Sequence, residues 1–149
     1  MRSASDIRNF LLSHSEAKHH VRLEVVPHKP AKPGTASEIA DSLVKSFGFN
    51  PIGLRSWQVL GPESAAALAK QLAWRGLAYG TELMPEKTAA HIAARLVESL
   101  VPYSASFASS GKIEGDFKTW NPIGSATLEM ALIGHDGASS FLLYASDED

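Results

Sequence analysis

Six histidines, at positions 14, 19, 20, 28, 91 and 135, and a terminal run of carboxylates, Asp147-Glu148-Asp149, are the side chains here whose types could support chemistry. Four of the histidines fall between positions 14 and 28, close enough for a fold to gather two or three. No carboxylate stands at a matching spacing, however. His19 and His20, adjacent at the start of a strand, would point to opposite faces, which makes a poor chelate, so no metal is expected. The absence of cysteine excludes disulfides and thiolate zinc. The three terminal acids sit next to one another on a tail, not on rigid neighbouring elements, and so make a poor general acid and base. There is no Gly-x-Ser-x-Gly elbow, phosphate-binding glycine loop, dinucleotide fingerprint or His-Glu-x-x-His. No catalytic residue and no cofactor is expected.

The elements that must carry these residues read as α+β. Residues 3–14 form a short helix: Ser3 caps it, Asp6 lies near its positive end, and Ile7, Phe10, Leu11 and His14 fall on one stripe. Val21, Leu23 and Val25 alternate along a strand. The segment 27–34, with three prolines, is a loop presenting His28, Lys29 and Lys32. Thr35 and Glu38 form a capping box for a helix to about Phe47. With the strand at 56–60 this resembles a β-α-β unit, its crossover long enough for a parallel pair and an antiparallel arrangement also open. Pro62 and Pro85 open two alanine-rich helices. Between them, 77–84 is a short strand or a loop. Tyr103, Ala105 and Phe107 alternate with serines, as in an edge strand whose pairing would offer a route to a homodimer. Ser109-Ser110-Gly111 marks a turn.

The last stretch is a hairpin. Leu128, Met130 and Leu132 alternate with Thr127, Glu129 and Ala131. His135-Asp136-Gly137 turns the chain. The segment 141–145 is apolar on both faces, as in a strand covered on both sides. The expectation is one α+β domain, 1–149, with a mixed or mostly antiparallel sheet of about four to six strands, three to four helices and a C-terminal β-hairpin.

At 149 residues the chain can bury roughly 70% of its unfolded surface. Apolar content of 44% and charged content of 20% are those of a globular protein. No apolar run reaches the ~20 residues of a membrane helix. Asp6 and Arg8 interrupt any signal-peptide core, so a cytoplasmic location is expected. The net charge of −2 gives no pull towards nucleic acid, and no basic stretch carries stacking aromatics. Charge is uneven, though. Residues 1–34 hold six Lys/Arg against three Asp/Glu, whereas beyond Lys118 there are five acids and no Lys or Arg. The acids Glu114, Asp116, Asp147, Glu148 and Asp149, with Trp120 and Tyr144 as aromatic anchors, are therefore the candidate partner-binding residues. Phe117 and Trp120 are also expected to cap the core.

Trp120-Asn121-Pro122, the Ser125-Ala126-Thr127 lead into the hairpin, and an apolar strand closing in Asp147-Glu148-Asp149 resemble the C-terminal ends of small bacterial immunity proteins encoded beside secreted polymorphic toxins. Leu143 and Tyr144 stand where that pattern carries a tryptophan. The resemblance implies a cytoplasmic antidote, monomer or homodimer, that occludes the active site of one cognate toxin domain. The competing expectation is a small-molecule enzyme or ligand-binding domain with a helix/sheet pocket built on the N-terminal histidines.

Overall fold

The computed structural model describes residues 4–27 and 34–148. Ser3, His28, Lys29, Lys32 and Asp149 lie outside the described residues. The order is α1 (Ala4–Leu12), α2 (Ala17–His20), β1 (Val21–Pro27), α3 (Ala36–Ser46), β2 (Gln58–Leu60), α4 (Pro62–Trp74), α5 (Glu86–Glu98), β3 (Ser106–Ser109), β4 (Gly111–Glu114), β5 (Phe117–Trp120), β6 (Leu128–His135) and β7 (Ser139–Asp147). Five strands make an antiparallel sheet in the order β1-β7-β6-β3-β2, and β4 with β5 makes a separate hairpin. The class is α+β, with the expected C-terminal hairpin at the sheet's centre.

Two cores cover the two faces. Phe141, Leu143 and Ala145 of β7, with Met130 and Leu132 of β6, pack under α1, α4 and α5. Leu142 and Tyr144, with Ala131 and Ile133, pack under α3 and Trp57. The doubly apolar reading of β7 thus holds, and its cause is helices on both sides of a central strand.

Local chemistry explains the covering elements. Glu38 N–H donates to the Thr35 hydroxyl and Thr35 N–H to the Glu38 carboxylate, which closes the capping box of α3. Further along α3, Asp41 accepts hydrogen bonds from Ile52 N, Gly53 N and Trp57 Nε1, the last at 2.6 Å, and ties the 48–57 loop to the helix. In α4 and α5 the inward residues include Ala65, Ala69, Ala73, Ala89 and Ala93, small enough for the two helices to approach closely. A Lys70–Glu86 pair at 2.7 Å bridges them.

Two expectations are corrected and one open alternative is decided. β1 and β2 are not neighbours: they occupy opposite edges with three strands between them, because the C-terminal hairpin and β3 insert there. The segment 77–84 is a loop with a single bridge, Arg75↔Glu82. β3 begins at Ser106 and lies inside the sheet, paired to β6 and β2, so it has no free edge for a homodimer; Tyr103 stands outside it, 94% exposed.

The β6–β7 turn is built on Asp136. One carboxylate oxygen accepts from Ala138 N and Ser139 N, and the other from Val101 N just beyond α5. Burial alone would raise its pKa; the three amides outweigh that and hold it below the ordinary carboxylate value. Gly137, at φ 95°, supplies the left-handed position that the turn needs.

Candidate functional site

The sequence points to two places, the end of β7 and the 112–122 segment. Both lie at the end of the sheet where β6 begins: Leu128 pairs with Asp147, and the link from β3 to β4 bonds Ala131.

The strand period separates the terminal acids. Asp147 continues the face under α4. It is 14% exposed, accepts a hydrogen bond from Ala78 N at 3.0 Å and stands 3.5 Å from His20 Nδ1. Glu148 turns to the other side, exposed, and accepts from Thr127 through both its amide and its hydroxyl. Asp147 is therefore committed to holding the 76–82 loop and α2, whereas Glu148 keeps its outer surface free for contact. Of the three terminal carboxylates, Asp147 and Glu148 thus part to opposite sides, and Asp149 lies outside the described residues.

Tyr144 is also turned inward. It is 9% exposed, its ring lies 4.6 Å from that of Phe49, and its hydroxyl donates to Glu129. As an outward anchor it is withdrawn. Glu129, 1% exposed, accepts from Ile123 N (2.6 Å) and Gly124 N (2.8 Å) as well. A Cβ at Gly124 would stand 2.9 Å from Glu129 and 3.2 Å from the Tyr144 hydroxyl, so a larger residue there would have to push this pair aside. With three donors satisfied and no solvent access, Glu129 is a clamp on the 121–124 turn and not a base.

Burial and the hydrogen bond to Glu129 raise the Tyr144 pKa well above its ordinary 10.0, with Glu148 adding to the shift and Arg22 opposing it. The folded chain thus keeps the proton at a pH where the unfolded chain gives it up. The stabilisation is intact below pH 10 and is lost as pH rises further. The unfolding midpoint of the natural chain should therefore fall more steeply above pH 10 than that of Tyr144→Phe; parallel alkaline profiles in denaturant titrations would show that the phenol is not protected.

Most of the segment 112–122 belongs to the β4–β5 hairpin. Gly111 pairs with Trp120 and Glu114 with Phe117. Gly115, at φ 62°, leads the two-residue turn Gly115-Asp116, the position that demands glycine in a type II′ connection. Ser110 anchors its base: its amide donates to Ala131 O, its hydroxyl accepts from Ala131 N, and its carbonyl accepts from Asn121 N. Trp120 and Ile113 pack partly against the core. Phe117 does not: it is 68% exposed, next to exposed Asp116 and across from exposed Glu114, which pairs with Lys112 at 2.9 Å. Trp120 packs against the core as expected, whereas Phe117, expected to do the same, is exposed. The Gly115-Asp116 turn signal between Glu114 and Phe117 was the clue to it.

Beside the hairpin runs a cleft of about 440 Å³, walled by α4, β2 and β4. No histidine lines it. His135 is buried, with Nδ1 on the Ser140 hydroxyl and Nε2 accepting from Gly137 N. His14 bonds the Phe10 carbonyl, and His20 faces Asp147. Among the described residues no three metal-ligating side chains come together, and no helix is long and apolar enough to cross a membrane.

Comparison with protein-family models, with curated proteins and with solved structures gives no match for this chain.

Proposed function

We propose that this is a non-catalytic protein-binding domain of the immunity-protein kind, which occludes the active site of a cognate bacterial toxin with its β4–β5 hairpin. The observation that carries the reading is Phe117, an exposed aromatic that opens β5 directly after the Gly115-Asp116 turn and across from Glu114. A protruding apolar ring is an anchor for a partner pocket, and Asp116 beside it, unlike Glu114 with its Lys112 partner, offers a carboxylate to the basic cleft of a toxin acting on nucleic acid or nucleotides. Glu148, exposed at the same end of the sheet, adds to that sign. Among the described residues Glu129 is buried and the histidines stand apart, which favours the binding reading over the enzyme one.

The test is whether a toxin-like reading frame lies beside the gene and whether its product co-purifies with this chain; absence of both would remove the reading. Phe117→Ser should weaken binding by about tenfold or more, mostly through faster dissociation. Asp116→Asn with Glu114→Gln should slow association and flatten its salt dependence. Unchanged affinity in the Phe117 variant would remove the hairpin from the interface.

A further inference from the structure

The five-stranded sheet has two edges, and they are guarded differently. At β1, α1 lies against the strand, Arg8 Nε donates to the Leu23 carbonyl at 2.8 Å, and Arg22 and Glu24 pair at 3.1 Å along one face. A covering helix and charged side chains are the ordinary means by which a sheet edge is kept from pairing with another chain. β2, at the opposite edge, carries neither charge nor proline. Its central residue, Val59, is 67% exposed. Val59 pairs with Ala108, which puts it on the α3 side of the sheet. Leu54, also exposed, stands before it in the loop that Asp41 ties to α3. The apolar surface on that side thus runs out to the edge.

The residues flanking β2 indicate which chain pairs there. Arg55 lies four positions before Val59 and Glu63 four positions after it, both exposed. In the free chain each is solvated and needs no partner; their opposite signs and equal spacing from Val59 are what select an occupant. When β2 pairs antiparallel with β2 of a second copy, a two-fold axis at Val59 sets Gln58 against Leu60 and brings the Arg55 end of each copy to the Glu63 end of the other. The charges attract at both ends, whereas a parallel approach would set Arg55 on Arg55 and Glu63 on Glu63. Val59 meets Val59 on one face, a cross-strand contact that withdraws both from water. We propose that β2 is the self-association edge of this chain and joins two copies into one continuous antiparallel sheet with Val59 on the two-fold axis. This inference does not depend on Phe117 meeting a toxin.

The test is the mass of the full chain in solution, followed by sedimentation velocity from about 1 μM to 1 mM. A species of twice the chain mass should grow with concentration, and amide exchange within 58–60 should slow as it does. Val59→Lys places a charge on the axis and should weaken the dimer about tenfold or more. Arg55→Glu and Glu63→Arg should each weaken it about tenfold, because each reversal acts at both ends of the pair. The double variant carrying both reversals should dimerise as the natural chain does. All four variants change exposed side chains and should keep the natural far-UV circular dichroism, so that a lost dimer is not a lost fold. The inference is overturned if the natural chain stays monomeric at about 1 mM, which would leave the edge to a different protein. It is equally overturned if Val59→Lys dimerises undiminished, or if the double reversal fails to restore what the single ones lose.

Discussion

Glu129→Ala should destabilise the fold by about 3 kcal/mol or more, the largest loss expected from any single polar side chain here. The carboxylate receives Ile123 N, Gly124 N and the Tyr144 hydroxyl inside a region with 1% exposure. Truncation leaves three buried donors without an acceptor, and each such group costs about 1–3 kcal/mol. Ile123 is fully buried in the core under α3, and its carbonyl also accepts from Asn50 N, so the damage reaches the loop after α3. Glu129→Gln keeps one carbonyl oxygen for the two amides and should lose only about 1 kcal/mol. Urea unfolding followed by far-UV circular dichroism measures both. An alanine variant within about 1 kcal/mol of the natural chain would mean that water satisfies the turn in place of the carboxylate.

Gly111→Ala should release the β4–β5 hairpin while leaving the five-stranded sheet folded. A Cβ at Gly111 would stand 2.1 Å from the Thr119 carbonyl oxygen and 2.8 Å from the Trp120 Cα, both backbone atoms of the paired strand. Backbone cannot rotate aside as a side chain can, so the pairing itself must open; overpacking of this kind costs about 1–3 kcal/mol. A two-stranded hairpin has little reserve against that, with only Ile113 and Trp120 partly buried in the core. Amide exchange should rise across 111–120 and stay slow in β6 and β7. Toxin binding should fall as well, because the proposed anchor Phe117 opens β5. Protection unchanged at 111–120 would show that the strands absorb the methyl group.

Much of the scaffold was legible in the residues. The capping box at Thr35 and Glu38 is present because both halves are local. β7 reads as covered on both sides because apolar residues on successive positions have no other use. What was not legible depends on distant chain. Glu129 falls on the polar positions of β6, and period two says which face it takes but not that the 121–124 turn closes over that face. Ser109 and Ser110 look like turn residues, yet both are buried, because one hydroxyl bonds the Gly111 carbonyl and the other the Ala131 amide. Asp147 and Glu148, adjacent in sequence, part to opposite faces once the strand extends far enough to include Asp147. Phe117 was grouped with Trp120 by composition, but the Gly115-Asp116 turn sets only one of them against the core.

The position of the C-terminal hairpin between the two edge strands has a consequence for synthesis. β1 and β2 emerge early from the ribosome, and neither has a neighbour it can pair with until much later: β1 waits for β7, and β2 for β3. The helices can begin to pack beforehand, but the central plank on which both rest is made last. Completion of the sheet therefore waits on pairings between distant parts of the chain, such as Val21 with Ala145. Until then the apolar sides of α3, α4 and α5 lack their partner, which is the interval in which a nascent chain of this topology depends most on chaperones.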